Sequence, residues 1–173
     1  IDKVRVENGR LVKEDSRLRL DFNSIAKGYV VDMAARELER LEMENYLVDI
    51  GGEVRCKGVN SKGGAWRVGI ETPFDGNNNV GAHVQQVISL TDCAMATSGN
   101  YRRYYLDAEG RKVAHTIDPH TGKSVITNLL SATVIAPTCA EADAYGTMFM
   151  AMGAERAIEL ARELAKDGVM VYF

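Results

Sequence analysis

Asp143 and Thr147 stand four residues apart in the run Glu141-Ala142-Asp143-Ala144-Tyr145-Gly146-Thr147. On a helix that spacing puts a carboxylate and a hydroxyl on one face. Cys139, Gly146 and Met150 fall on the same side. An aspartate within such a small, apolar stripe must be paired, coordinated or protonated if it is buried. The two groups offer hard oxygens to a small cation such as Mg2+, which takes few protein ligands and leaves places for water and phosphate. A plainer reading is also open: a solvated acid near a helix start, favoured by the helix dipole.

The second stretch is Asp21 to Asp32, D-F-N-S-I-A-K-G-Y-V-V-D. It reads as a strand end, a turn and a helix start, with Asn23 or Ser24 as the cap. Lys27 then lies in the first helical turn, where a cation opposes the dipole. Either it points to solvent, or it and the free backbone N–H groups face an anion such as a phosphate. The third stretch is His115-Thr116-Ile117-Asp118-Pro119-His120-Thr121-Gly122. Asp-Pro starts a turn and Gly122 allows positive φ. His115 is either a general base or ligand contact, or a loop histidine bonded to backbone. Ser98-Gly99-Asn100-Tyr101 is a turn or a ligand loop on the same footing.

The elements that must position these residues follow from periodicity. Val4–Val6 and Arg10–Val12 flank Asn8-Gly9, a strong hairpin signal. Residues 17–22 alternate like a strand. The helix after Ser24 extends to about Glu42, with Val30, Ala34, Leu38 and Leu41 as its apolar stripe. Residues 46–50 form a strand ending at Gly51-Gly52, which is either a bulge or close-approach site, or an ordinary bend. Val54–Cys56 resumes it, and residues 58–64 form a polar loop. Residues 65–70 and 84–90 are strands around a polar turn region at 75–81. Residues 91–99 are small and polar, 101–106 is a strand, and 112–125 is mostly irregular. Residues 131–136 are a strand. Thr138 and Glu141 form a capping box for a helix to Met150. A second helix runs from Ala154 to Lys166, with Ala154, Ile158, Ala161 and Leu164 inward. Residues 169–173 make a last strand. Strands grouped around single helices define an α+β fold, with mixed, largely antiparallel sheets packed with a few helices.

The 173 residues suffice for one domain with a core, and 46% hydrophobic with 26% charged residues marks a globular chain. A net charge of −3 with scattered Lys and Arg gives no nucleic-acid surface. No apolar run is long enough for a transmembrane segment. Cys56, Cys93 and Cys139 are far apart and form no C-x-x-C, so they read as three separate core thiols, with one disulfide as the alternative.

Taken in order, D-F-N-S-I-A-K-G-Y-V-V-D, D-I-G-G-E, A-T-S-G-N-Y, H-T-I-D-P-H-T-G and A-D-A-Y-G-T-M-F-M-A-M-G closely resemble the successive motifs of the ApbE family of FAD:protein FMN transferases. The resemblance covers the chain from Asp21 onward. It implies an ApbE-like, T-fold-like domain over residues 1–173, the C-terminal portion of a longer protein, since family members carry a substantial segment before the first motif. It implies Mg2+-dependent transfer of FMN from FAD to a Thr or Ser hydroxyl of an acceptor flavoprotein, with AMP released. Alternatives are an FAD pyrophosphatase yielding FMN and AMP, or a non-catalytic FAD-binding module. By the same resemblance, Asp143, Thr147 and the Ser24 carbonyl hold the metal. Asp21, Lys27, Gly51, Gly52, Ser98 and Ile117 contact the flavin nucleotide, and His115 assists proton removal from the acceptor. A bacterial periplasmic or cell-surface location, tethered by an N-terminal lipid, is likewise implied.

Overall fold

The structure, a computed structural model, describes residues 3–74, 77, 81–101, 104–110, 112–125 and 127–173. Every strand pairing among them is antiparallel. The N-terminal hairpin joins β1 (Val4–Glu7) to β2 (Arg10–Lys13) through Asn8 and Gly9, both at positive φ, as the Asn-Gly signal predicts. Helix α1 spans Ala26–Arg40. Then come β3 (Tyr46–Ile50), β4 (Glu53–Lys57), β5 (Trp66–Glu71), β6 (Val84–Leu90) and β7 (Ala94–Gly99). Two short strands, β8 (Tyr104–Leu106) and β9 (Lys112–Ala114), precede β10 (Ser131–Ala136). Helices α2 (Cys139–Met152) and α3 (Ala154–Leu164) lead to β11 (Met170–Tyr172).

The main sheet has the order β11-β10-β7-β4-β3. Alternation along its strands sorts the side chains into two cores. Ala96, Ala132, Val134 and Ala136 face the helices and pack with Ala142, Phe149 and Met150 of α2 and Ala157 of α3. Cys56, Met95 and Ile135 face the other way and pack with Ile70, Ile88 and Leu90 of the β5–β6 hairpin. The small, polar residues at 91–99 supply β7, the sheet's central strand. Their smallness lets α2 approach: a Cβ on Gly146 would meet the Ser98 hydroxyl at 2.9 Å.

Other sequence expectations also shift. Residues 18–22 form no strand; no neighbour pairs with them, and Leu20 and Phe22 are exposed. The buried face of α1 is Gly28, Val31, Asp32 and Ala35, not Val30, Ala34, Leu38 and Leu41. That face is rotated by about one residue because α1 lies against α2 and the β3–β4 hairpin, which accept a glycine and an aspartate at the contact. On α3, Ala157 is buried and Ile158 exposed, with Ala161 and Leu164 inward as expected. Residues 112–125 hold β9 and an isolated bridge from Ile117 to Ser124. The expected polar turn at 75–81 and part of the strand at 101–106 lie outside the described residues. The capping box of α2 is present, with the Glu141 N–H donating to Thr138 Oγ1 and the Thr138 N–H donating to Glu141 Oε2. No helix among the described residues is long and apolar enough to cross a membrane.

Candidate active site

Asp143 lies one turn into α2 on its sheet-facing stripe and is only 4% exposed. Its partner comes from another helix. The Gly28 N–H, in the first turn of α1, donates to Asp143 Oδ2 at 2.9 Å. Helix starts leave backbone N–H groups without intrahelical acceptors, and α1 has no side-chain cap of its own. Its N-cap is Ile25, not Asn23 or Ser24, and Asn23 is occupied with the Asp21 carboxylate instead. Asp143 therefore serves as the cap, from across the helix interface.

The arrangement is reciprocal. Asp32, nearly two turns into α1, accepts from the Cys139 and Ala140 N–H groups at the start of α2, at 3.0 and 2.9 Å. Arg55 of β4 donates to Asp32 as well. The two helix starts can approach because Gly28 has no side chain: a Cβ there would lie 2.2 Å from the Cys139 carbonyl oxygen. Burial pushes the Asp32 carboxyl up, but the Ala140 and Cys139 N–H groups and Arg55 outweigh it and hold Asp32 below the usual carboxylate range. For Asp143, burial wins over the Gly28 N–H and Lys27, and the carboxyl is raised.

That contrast marks Asp143 as the incompletely satisfied member of the pair. Its Oδ1 accepts no hydrogen bond among the described residues, whereas Oδ2 is taken. Because the Gly28 N–H goes to Asp143, no backbone N–H among the described residues donates to the Ser24 carbonyl, its ordinary acceptor four residues back. The Thr147 hydroxyl is 3.4 Å from Ser98 Oγ at the end of β7. The α1 start thus offers a carboxylate oxygen and a carbonyl, and Thr147 adds a hydroxyl one turn further along α2 from Asp143. This all-oxygen set suits Mg2+, which needs few protein ligands. No cluster of three or more His, Cys, Asp or Glu side chains suited to a metal occurs among the described residues.

Lys27 pairs with Glu53 Oε1 at the start of β4. Glu53 is 2% exposed, and its Oε2 accepts no hydrogen bond among the described residues. Burial raises the Glu53 carboxyl; Lys27 opposes this and Asp143 reinforces it. Gly51 and Gly52 form the two-residue β3–β4 turn, both at positive φ, with Ile50 and Glu53 paired across it. The ordinary-bend reading holds, and no bulge is present. The turn sets Glu53 at the first position of β4, under α1.

His115 and Ile117 sit on the exposed segment after β9. What ties this segment to the site is Thr116, whose hydroxyl donates to Asn100 Oδ1 at 3.0 Å. Asn100 lies two residues beyond Ser98, itself against Thr147. The end of β7 is therefore the joint between the His115 segment and the Asp143 helix. Ser98 and Thr147 meet directly, Asp143 meets the backbone next to Lys27, and the Lys27 charge acts on Asp143. Asp21 is exposed and bonds only Asn23 among the described residues. Sequence reasoning missed Glu53, Asn100, Thr116 and the capping role of Asp32. A buried-charge signal was present only in Asp32, which falls on the inward α1 face once that face is drawn through Gly28.

An α+β domain in which two buried carboxylates reciprocally cap neighbouring helices is the class that fold and site define. Residues 1–173 match the model of the ApbE family. The chain is 40% identical over 162 residues to the FAD:protein FMN transferase of Escherichia coli strain K12, covering 94% of this chain and 44% of that protein. It is 39% identical over 176 residues to the FAD:protein FMN transferase of Haemophilus influenzae, covering 99% and 49%. Among solved structures, the flavin transferase ApbE from Vibrio cholerae superposes with a TM-score of 0.81 at 36% identity, covering 98% of this chain and 51% of that one. The ApbE protein of Thermotoga maritima gives 0.82 at 27% identity, covering 98% and 53%. The chain belongs to the ApbE family. It spans about half the length of the curated relatives it matches.

Proposed function

We propose that this chain carries the catalytic half of a Mg2+-dependent flavin transferase, which moves FMN from FAD to a Thr or Ser hydroxyl of an acceptor flavoprotein and releases AMP. The observation that carries this is the open Oδ1 of buried Asp143, at a helix start that also presents Lys27. The chain's relatives named FAD:protein FMN transferase support the same chemistry. Asp143, Thr147 and the Ser24 carbonyl would hold the metal. Bound there, Mg2+ would supply charge neutralisation for the pyrophosphate.

The rest falls to the side chains. Phosphoryl transfer depends on positioning and charge more than on covalent chemistry. Lys27 offers positive potential to the nucleotide. Gly51, Gly52 and Ser98 leave room for it close to backbone, and the exposed Ile117 presents an apolar contact for the flavin ring. Asp21, next to the α1 start, contacts the nucleotide. His115 takes the proton of the acceptor hydroxyl as that oxygen bonds to the FMN phosphorus. The bond to the AMP oxygen breaks, and AMP leaves with the electron pair. Asn100 and Thr116 hold the His115 segment in place for that step. We place the protein in the bacterial periplasm or at the cell surface, tethered by a lipid.

The test mixes the protein with FAD, Mg2+ and an acceptor domain, then reads flavin fluorescence on the denatured acceptor. Labelling that EDTA abolishes supports transfer. Release of FMN and AMP without labelling would replace it with hydrolysis, and FAD binding without turnover would replace it with storage.

A further inference from the structure

Glu53, as deeply buried as Asp32 at 2% exposed, takes no part in the chemistry above. A buried carboxylate with one oxygen lacking any donor is costly to keep, so its retention calls for a reason in its surroundings. Glu53 stands on the helix-facing side of β4, and among the described residues the only charge it meets by hydrogen bond is Lys27. Lys27 and Gly28 are consecutive residues at the start of α1, and they are directed to different acids. The Lys27 ammonium goes to Glu53, and the Gly28 N–H goes to Asp143.

Lys27 is about half exposed and ends a flexible stem. Its charge acts on Asp143 as well as on Glu53. Were the Glu53 carboxylate neutral, Asp143 Oδ1 would be the remaining anionic acceptor beside the ammonium. A lysine settled there would fill the oxygen that a divalent cation needs, and would repel that cation. We propose that Glu53 is a positioning residue that detains Lys27, so that Asp143 Oδ1 stays open to a divalent cation. This rests on the reading of Asp143 as a cation ligand.

The test is a titration of the purified chain with Mn2+, read by the loss of the free-ion electron paramagnetic resonance signal, without FAD or turnover. Glu53→Gln keeps the shape and removes the charge. It should weaken Mn2+ binding by about tenfold, in keeping with a unit charge brought within contact distance at partial burial. Lys27→Met in the same background should restore affinity to within about threefold of the parent, since no ammonium is left to occupy Asp143. A role confined to stability would not produce that rescue. Lys27→Met alone, which needs no change at the buried position, should bind Mn2+ at least as tightly as the parent. Equal affinity in Glu53→Gln and the parent, no rescue in the double variant, or weakened binding in Lys27→Met would each overturn the proposal while leaving Asp143 a ligand. Absence of Mn2+ binding in the parent chain would overturn the cation reading itself, and this proposal with it.

Discussion

Replacing Gly28 by alanine sets two effects against each other. Alanine is the better helix former, by about 1 kcal/mol in a helix interior. On propensity alone, Gly28→Ala would stabilise α1. The packing says otherwise. The added Cβ would lie 2.2 Å from the Cys139 carbonyl oxygen, 2.6 Å from its carbonyl carbon and 2.8 Å from the Ala140 nitrogen. All three are backbone atoms at the start of α2, so no side chain can rotate aside. The helices must separate instead. Overpacking of this kind costs typically about 1–3 kcal/mol, and occasionally more. Separation would also stretch the reciprocal bonds from Gly28 to Asp143 and from Cys139 and Ala140 to Asp32. Each lost bond to a charged group is worth about 1.5–3 kcal/mol. Packing wins, and a net loss of about 2 kcal/mol or more remains after the propensity gain. In a domain of this size that lowers the thermal midpoint by roughly 4–8 °C. Thermal unfolding followed by circular dichroism reads it, with Val30→Ala on the exposed face of α1 as the control. An unchanged or raised midpoint in Gly28→Ala would refute the idea that the α1–α2 contact is closed at this residue.

Two other substitutions act through charge. The Asp143 carboxyl is raised by burial, so its ionised form weakens the metal-free fold at neutral pH; Asp143→Asn should raise the thermal midpoint while lowering flavin transfer by about a hundredfold or more. A lowered midpoint would show that Asp143 is chiefly a structural cap. Asp32 has the opposite sign: its lowered folded value contributes stability that is present above the usual carboxylate range and lost as pH falls through that folded value. Asp32→Asn should cost about 3 kcal/mol near neutral pH, as removal of one partner from a buried pair does. Urea midpoints measured from neutral to acid pH should then converge for parent and variant, and a constant gap would contradict the assignment.

Much of the fold was legible because its signals are local. The Asn8-Gly9 turn, the alternation of Val84–Leu90 and the Thr138–Glu141 capping box each depend on neighbours in sequence. The failures have a common physical origin in tertiary contact. Ala94–Gly99 carries Thr97 as its single β-branched residue and no aromatic, because α2 packs directly on it and needs small residues there. Leu18–Phe22 alternates but finds no strand to pair with. The α1 stripe was misdrawn because its buried face joins Val31 and Ala35 to a glycine and an aspartate, which no hydrophobic count selects. In the site, Asp143 and Thr147 were visible through their helical spacing. Glu53 and Asn100 were not, since their partners lie 26 and 16 residues away. The Asn23 and Ser24 caps were reasonable on residue type, but Asp143 supplies that function from across the interface.

The most direct measurement is a crystal structure of the chain with FAD and Mn2+, with the metal located by anomalous scattering. The account predicts a peak within about 2.2 Å of Asp143 Oδ1 and Thr147 Oγ1, close to the Ser24 carbonyl and bridging to the pyrophosphate. FAD bound with no peak at Asp143, or with the Lys27 ammonium in that place, would contradict it.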